Sequence, residues 1–275
     1  MRRAAILCGL ALAACEAPLA PIAPSDRAFS MSGYLDASAD TQWVRVEPLA
    51  RTTDPAPAPI EAVVTLVGPG GAEARLTQVV RTFETGPAHL FWTTAEVAPG
   101  ADYRLVARRP DGAETTVRIE VPSEASFTVD VDTGPFACPT IVTVRGAERV
   151  ADVQARYLVE DAAGQLVEYR FPHTDTFVRL PDGAVQAAVY FGDDARLMGL
   201  DPVGPVGLVR SDVVVAVATD LWPDAFALTL EQALGYESPA VAHGVGFVGG
   251  VVTRRSPFTP GVKTQGFGNN FPCTS

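Results

Sequence analysis

Pro99-Gly-Ala-Asp-Tyr-Arg-Leu-Val-Ala-Arg-Arg-Pro-Asp-Gly-Ala-Glu-Thr-Thr-Val-Arg-Ile-Glu-Val-Pro122 decides the fold class of this chain. A Pro-Gly turn leads into Tyr103-Arg-Leu-Val-Ala107. Arg109-Pro-Asp-Gly112 then reverses the chain. Val117, Ile119 and Val121 return in alternation with Thr116, Arg118 and Glu120. A period of two is the signature of a half-buried strand. Pro122 ends the strand, because it has no N–H to give to a ladder. The stretch reads as a hairpin that closes a β-sandwich.

The same period runs outward in both directions. Val153, Ala155, Tyr157 and Val159 alternate with Gln154, Arg156 and Glu160, broken only by Leu158. Ala62 to Val67 and Val213 to Ala218 are continuous apolar runs, which read as central strands buried on both faces. Turn signals recur at Gly68 to Gly71, Pro99-Gly100, Pro110 to Gly112, Asp161 to Gly164 and Pro181 to Gly183. Short strands between such turns predict sandwiches or barrels. The expectation is a mainly β, two-domain chain. Residues 27–122 form an immunoglobulin-like or transthyretin-like β-sandwich, and 123–275 a second β-rich domain with one short helix. That helix is placed near Pro223 to Leu234. Phe226, Leu230 and Leu234 share one face there, and Gly235 suits the C-terminal cap. Glycines in Val245-Gly-Phe-Val-Gly-Gly-Val-Val252 predict a bulge or close backbone approach.

The N-terminus carries an address. Met1-Arg2-Arg3 precedes eleven apolar residues, Ala4 to Ala14. That length falls short of the roughly 20 residues a transmembrane helix needs, and it suits a secretion signal. Leu12-Ala13-Ala14-Cys15 resembles the lipobox of bacterial lipoproteins, in which the peptidase cuts before the Cys and the Cys carries the lipids. Residues 1–14 are then a signal peptide, and 15–26, with Pro at 18, 21 and 24, an extended lipidated tether. Removing Arg2 and Arg3 takes the net charge from −11 to −13. So acidic a chain, with no basic stripe, is a poor nucleic-acid binder. Of four cysteines, Cys8 leaves with the signal and Cys15 is acylated. Cys138 and Cys273 remain in an oxidising setting and are expected to pair. The pair closes a loop worth on the order of 4–5 kcal/mol in the chain-entropy picture.

Catalytic patterns are sparse. The sequence holds no Gly-x-Ser-x-Gly elbow, His-Glu-x-x-His or Walker loop. His89, His173 and His243 lack metal-like neighbours and read as surface or structural residues. Asp130-Val-Asp132 and Asp193-Asp194 are too few oxygens for a calcium cage. No cofactor or metal is implied. Trp43, Trp92 and Phe91 read as plugs for the sandwich core or the contact between domains. With Trp222 and Tyr236 they are the candidates for a sugar-stacking platform. Gly192 to Gly207 reads as a long surface loop. Its Asp193, Asp194, Arg196, Leu197, Met198 and Asp201 mix charge with apolar surface, as protein interfaces do.

The lipobox start followed by Gly33-Tyr-Leu-Asp36, the Pro99 to Gly112 hairpin and the late Gly244-Val-Gly-Phe-Val-Gly-Gly250 together resemble one family. It is the lipoprotein family catalogued as domain of unknown function 4249, typical of Bacteroidota and related bacteria. Val248, Val251 and Val252 depart from it, standing where more aromatic and polar residues are expected. The resemblance implies a lipid-anchored, outer-membrane protein beside a TonB-dependent receptor. The expected function is a non-enzymatic binding or accessory module near an outer-membrane transport system. A structural or adhesive surface module and a hydrolase with a site assembled from distant loops are the alternatives.

Overall fold

Side chains alternate across a strand, so buried and exposed residues alternate wherever a sheet has one wet face. The computed structural model describes residues 27–49, 58–84, 86–133, 138–161, 163–200, 207–223, 238 and 240–260. The first half holds β1 (Phe29–Asp36), β2 (Gln42–Pro48), β3 (Val63–Val67), β4 (Glu73–Arg75), β5 (Thr77–Phe83), β6 (Gly86–Thr93), β7 (Asp102–Arg108) and β8 (Glu114–Glu120). The second holds β9 (Thr128–Thr133), β10 (Thr140–Arg145), β11 (Arg149–Glu160), β12 (Leu166–Pro172), β13 (Val178–Arg179), β14 (Val185–Val189), helix α1 (Phe191–Leu197), β15 (Leu208–Ala218), β16 (Val241–Ala242) and β17 (Gly244–Pro257). The chain is mainly β, with one short helix among the described residues.

The quoted hairpin is β7 and β8, paired from Asp102 with Glu120 to Arg108 with Glu114. Tyr103, Leu105, Ala107, Val117 and Ile119 point into the core. Gly112, at φ +88°, closes the turn, and its N–H donates to the Arg109 carbonyl at 3.0 Å. Val213 to Ala218 in β15 is buried on both faces apart from the half-buried Ala216. β3 differs from the sequence expectation: Val64 and Leu66 are buried but Val63 is exposed. Val64 and Leu66 face the core, while Val63, Thr65 and Val67 alternate onto the outer face of the sheet.

The strands form three sheets. Eight strands run β12-β11-β15-β17-β1-β2-β6-β5, five run β16-β8-β7-β3-β4, and four run β13-β14-β10-β9. The larger sheet crosses Pro122: its β1, β2, β5 and β6 come from the first half of the chain, and the rest from the second. The joint is β17. Gly244 to Val251 pair in parallel with Phe29 to Asp36, and Val251 to Pro257 pair antiparallel with Ala218 back to Asp212. β16 likewise adds to the edge of β8. A single buried cluster runs from Met31, Val44 and Phe91 through Leu105 and Ile119 to Val153, Tyr157 and Val215.

The glycines of β17 let two sheets meet. A Cβ at Gly250 would lie 2.4 Å from the Glu120 carbonyl oxygen of β8, and one at Gly244 would lie 2.2 Å from Thr115 Cγ2. Further along β17, Arg254 donates to the carbonyls of Phe127 (2.9 Å) and Glu124 (2.7 Å). Its guanidinium sits 4.3 Å from the centre of the Phe127 ring. The link between the halves is thereby tied to β17 by charge-assisted bonds and a cation–π contact.

Candidate functional site

The stretch expected as a loop begins with a helix. Asp193 and Asp194 stand in its first turn, where carboxylates complement the positive end of the helix dipole. Arg196 pairs with Asp193 at 2.9 Å. Gly199, at φ +71°, ends the helix: its N–H donates to Arg196 O (3.1 Å), and that of Leu200 to Ala195 O (2.8 Å). These two bonds make a Schellman closure, which needs a left-handed residue and therefore favours glycine. The helix expected at Pro223 to Leu234, beyond Pro223 itself, lies outside the described residues.

α1 divides the predicted interface residues between two faces. Asp194 is 3% exposed, which takes it out of any solvent-facing set. Its Oδ2 accepts from the Tyr157 hydroxyl at 2.7 Å and from His173 Nε2 at 3.1 Å. Tyr157 is fully buried, with Phe171, Phe191 and Phe258 around it at ring distances of 6.0, 5.6 and 6.1 Å. Burial foremost, then the Asp194 charge and hydrogen bond, push the Tyr157 phenol far above its usual range. Tyr157 is thus a fixed donor to a buried carboxylate. The opposite face is open. Leu197 is 74% exposed and Tyr190 46%, flanked by the exposed Asp193–Arg196 pair. Met198 is half-buried, and Asp201 lies outside the described residues.

Of the two expectations for the histidines, surface or structural, His89 and His173 meet the second: both are buried. His89 Nδ1 lies 2.6 Å from Glu47 Oε2, and Nε2 lies 2.9 Å from the Ala58 carbonyl. The His89 backbone N–H also donates to Glu47 Oε1 at 3.0 Å. Burial would raise the Glu47 carboxyl, but the bonds from the His89 ring and backbone and from Arg45 outweigh it, so Glu47 sits below its ordinary 4.5. A depressed folded pKa adds stability above the unfolded value and loses it as pH falls through the folded one. Glu47→Gln should therefore be less stable than the parent at neutral pH, with the gap closing as pH drops below 4.5. Urea denaturation across that range checks it. Asp130 is paired with Arg145. No group of three or more His, Cys, Asp or Glu among the described residues is placed to hold a metal. Among them, too, no helix is long and apolar enough to cross a membrane.

The aromatics are arranged otherwise than expected. Phe91 is core, but Trp43 is 43% exposed and plugs nothing. It shares the outward face of β2 with Arg45 and Glu47, while Gln42, Val44 and Val46 point inward. Tyr34, Trp43 and Trp92 stand directly opposite one another on β1, β2 and β6. Tyr34 also pairs with Gly249 of β17, and the Trp222 ring lies where a Gly249 side chain would go. Ring centres are 6.4 Å apart for Tyr34–Trp222 and 5.9 Å for Trp43–Trp92. Phe247 meets Trp222 edge-on at 5.1 Å. Tyr236, Cys15 and Cys273 lie outside the described residues, and Cys138 stands just ahead of β10.

No family model matches the chain, and no curated protein matches it. Among solved structures it is similar to a pullulanase from Anoxybacillus sp. LM18-11, at 16% identity and TM-score 0.24, over 70% of this chain and 24% of that one. The chain thus spans about a quarter of that enzyme's length. It is also similar to a chain of a cytokine receptor complex (13%, TM-score 0.25, 86% and 98%). A tetra-tandem repeat from the extending region of a large adhesion protein is a third (13%, 0.21, 85% and 49%). Likenesses of this degree carry no argument about function.

Proposed function

We propose that this chain is a non-enzymatic cell-envelope lipoprotein, anchored in the outer membrane by lipid on Cys15. It serves as a binding or accessory module for an outer-membrane transport protein, a TonB-dependent receptor being the partner the family resemblance suggests. One observation carries the reading: the exposed side of α1. An apolar centre, Leu197 with Tyr190, is rimmed by the Asp193–Arg196 ion pair, which is the anatomy of a small protein-docking surface. The far side of the same helix is held by Asp194 to Tyr157 and His173, so the knob is presented on a rigid support. The polar groups suited to acid–base work, Asp194 with His173 and Glu47 with His89, are bonded to each other inside the fold. In the same reading Cys138 pairs with Cys273.

Co-purification from native membranes tests it. The parent chain should bring down the receptor, and Leu197→Asp should reduce its recovery at least tenfold while leaving the fold intact. Cys15→Ser should move the protein into the soluble fraction. Undiminished capture by Leu197→Asp would place the interface elsewhere. Turnover of a glycan, ester or peptide, lost on changing one polar residue, would replace the binding reading with a hydrolase.

A further inference from the structure

The file of aromatic residues on the outward face of the eight-stranded sheet is left unused by that reading, and its shape is specific. It is one ring wide on β1, β2 and β6, and Phe247 widens it beside Trp222. Trp222 over β17, Tyr34 on β1, Trp43 on β2 and Trp92 on β6 occupy a single cross-strand row. Three gaps between strands give it a length of about 14 Å. Beside Tyr34 and Trp43 its borders are polar: Ser32 and Arg45 lie in the next row on one side, with Phe247 and Leu90 at the ends of that row. On the other stand Asp36, Ser38 and Thr253, bonded to each other, with Thr253 Oγ1 donating to Asp36 Oδ2 at 2.8 Å and the Ser38 N–H to Asp36 Oδ1 at 2.9 Å. Tyr34 is 53% exposed.

We infer that this row binds a linear, neutral oligosaccharide laid across the strands. A pyranose ring has an apolar C–H face and an edge of hydroxyls. The C–H hydrogens are weakly positive and settle on the negative face of an aromatic ring. The hydroxyls meet donors and acceptors at the borders, here a guanidinium, a carboxylate and hydroxyl groups. A line of rings with polar groups on both sides of its centre, Tyr34 and Trp43, matches a polymer with that cross-section. Protein hot spots differ: they are compact apolar centres with a surrounding rim, the form that α1 takes. Charge selects further. The border carries both signs, Arg45 against Asp36 and Glu47, on a chain of net charge −11, so a polyanionic glycan gains little and is repelled at long range. The site stands apart from α1 and does not depend on the docking reading.

The full chain in detergent is titrated with cellohexaose, maltohexaose and laminarihexaose, and with hexagalacturonate as the acidic counterpart. Tryptophan emission and titration calorimetry are followed together. At least one neutral hexasaccharide should bind saturably, and hexagalacturonate should not. Trp43→Ala and Tyr34→Ala should each weaken binding about tenfold or more, since both rings are surface-exposed and their removal leaves the core untouched. Leu197→Asp should bind as the parent does. The inference is overturned if no neutral hexasaccharide saturates the protein, or if affinity survives both aromatic substitutions. It is also overturned if hexagalacturonate binds as well as the neutral glycans, or if Trp43→Ala abolishes receptor capture, which would make the row a protein face.

Discussion

Gly246→Ala should cost on the order of 4 kcal/mol, far more than an alanine at most glycines of this chain. Gly246 sits in β17 opposite Met31, at φ +102°, a conformation that L-residues rarely hold. An added Cβ would lie 2.1 Å from the Met31 carbonyl oxygen, which is backbone and has no rotamer in which to move aside. Backbone strain and overlap therefore act together on the ladder that joins the two halves of the sheet. Gly112→Ala is the control. Its φ of +88° is also positive, but nothing lies within 4 Å of its Cβ position. It should lose about 1–2 kcal/mol, the left-handed penalty alone. Urea denaturation of the two variants separates the effects. Equal losses would show that strain alone acts at Gly246 and that β17 is free to retreat from β1.

The second large effect is expected at Asp194. Asp194→Ala leaves a buried tyrosine hydroxyl and a buried histidine N–H without their acceptor, and should destabilise the protein by about 3 kcal/mol. Tyr157→Phe removes one donor and keeps the acceptor satisfied by His173, so it should cost only about 1 kcal/mol. Once Tyr157 is Phe, Asp194→Ala should cost less than it does in the parent, since one orphaned group is already gone. Chemical denaturation of the four proteins of that cycle measures the coupling. Additive losses would mean that the three side chains do not act as one network. The Asp194→Ala chain should also dock its partner poorly, because the support beneath Leu197 is weakened.

The hairpin was legible because its information is local: a turn, a period of two and a proline stop, all within 24 residues. The joint between the halves was not. Phe29 meets Gly244 across more than two hundred residues, and no short pattern encodes a partner so distant. Only the glycine run hinted at close approach, without saying to what. α1 is too short for a helical period to emerge, though Gly199 at its end and the two aspartates of its first turn are readable as end signals. Asp194 then faces inward because seven residues wrap nearly twice around the helix axis, and the apolar side that carries Phe191 and Ala195 takes it along. Trp43 could have been placed from parity alone. It alternates with Val44 and Val46 and shares a face with Arg45 and Glu47, and that face is the wet one. Bulk suggested core, but the register overrode bulk.

Photocrosslinking in intact cells tests the docking reading most directly. A photoreactive phenylalanine replaces Leu197 in one variant and Val63, exposed on the five-stranded sheet, in the second. An adduct between position 197 and an outer-membrane transport receptor is expected, and none from position 63. No adduct at 197, or the same adducts from both positions, would contradict it.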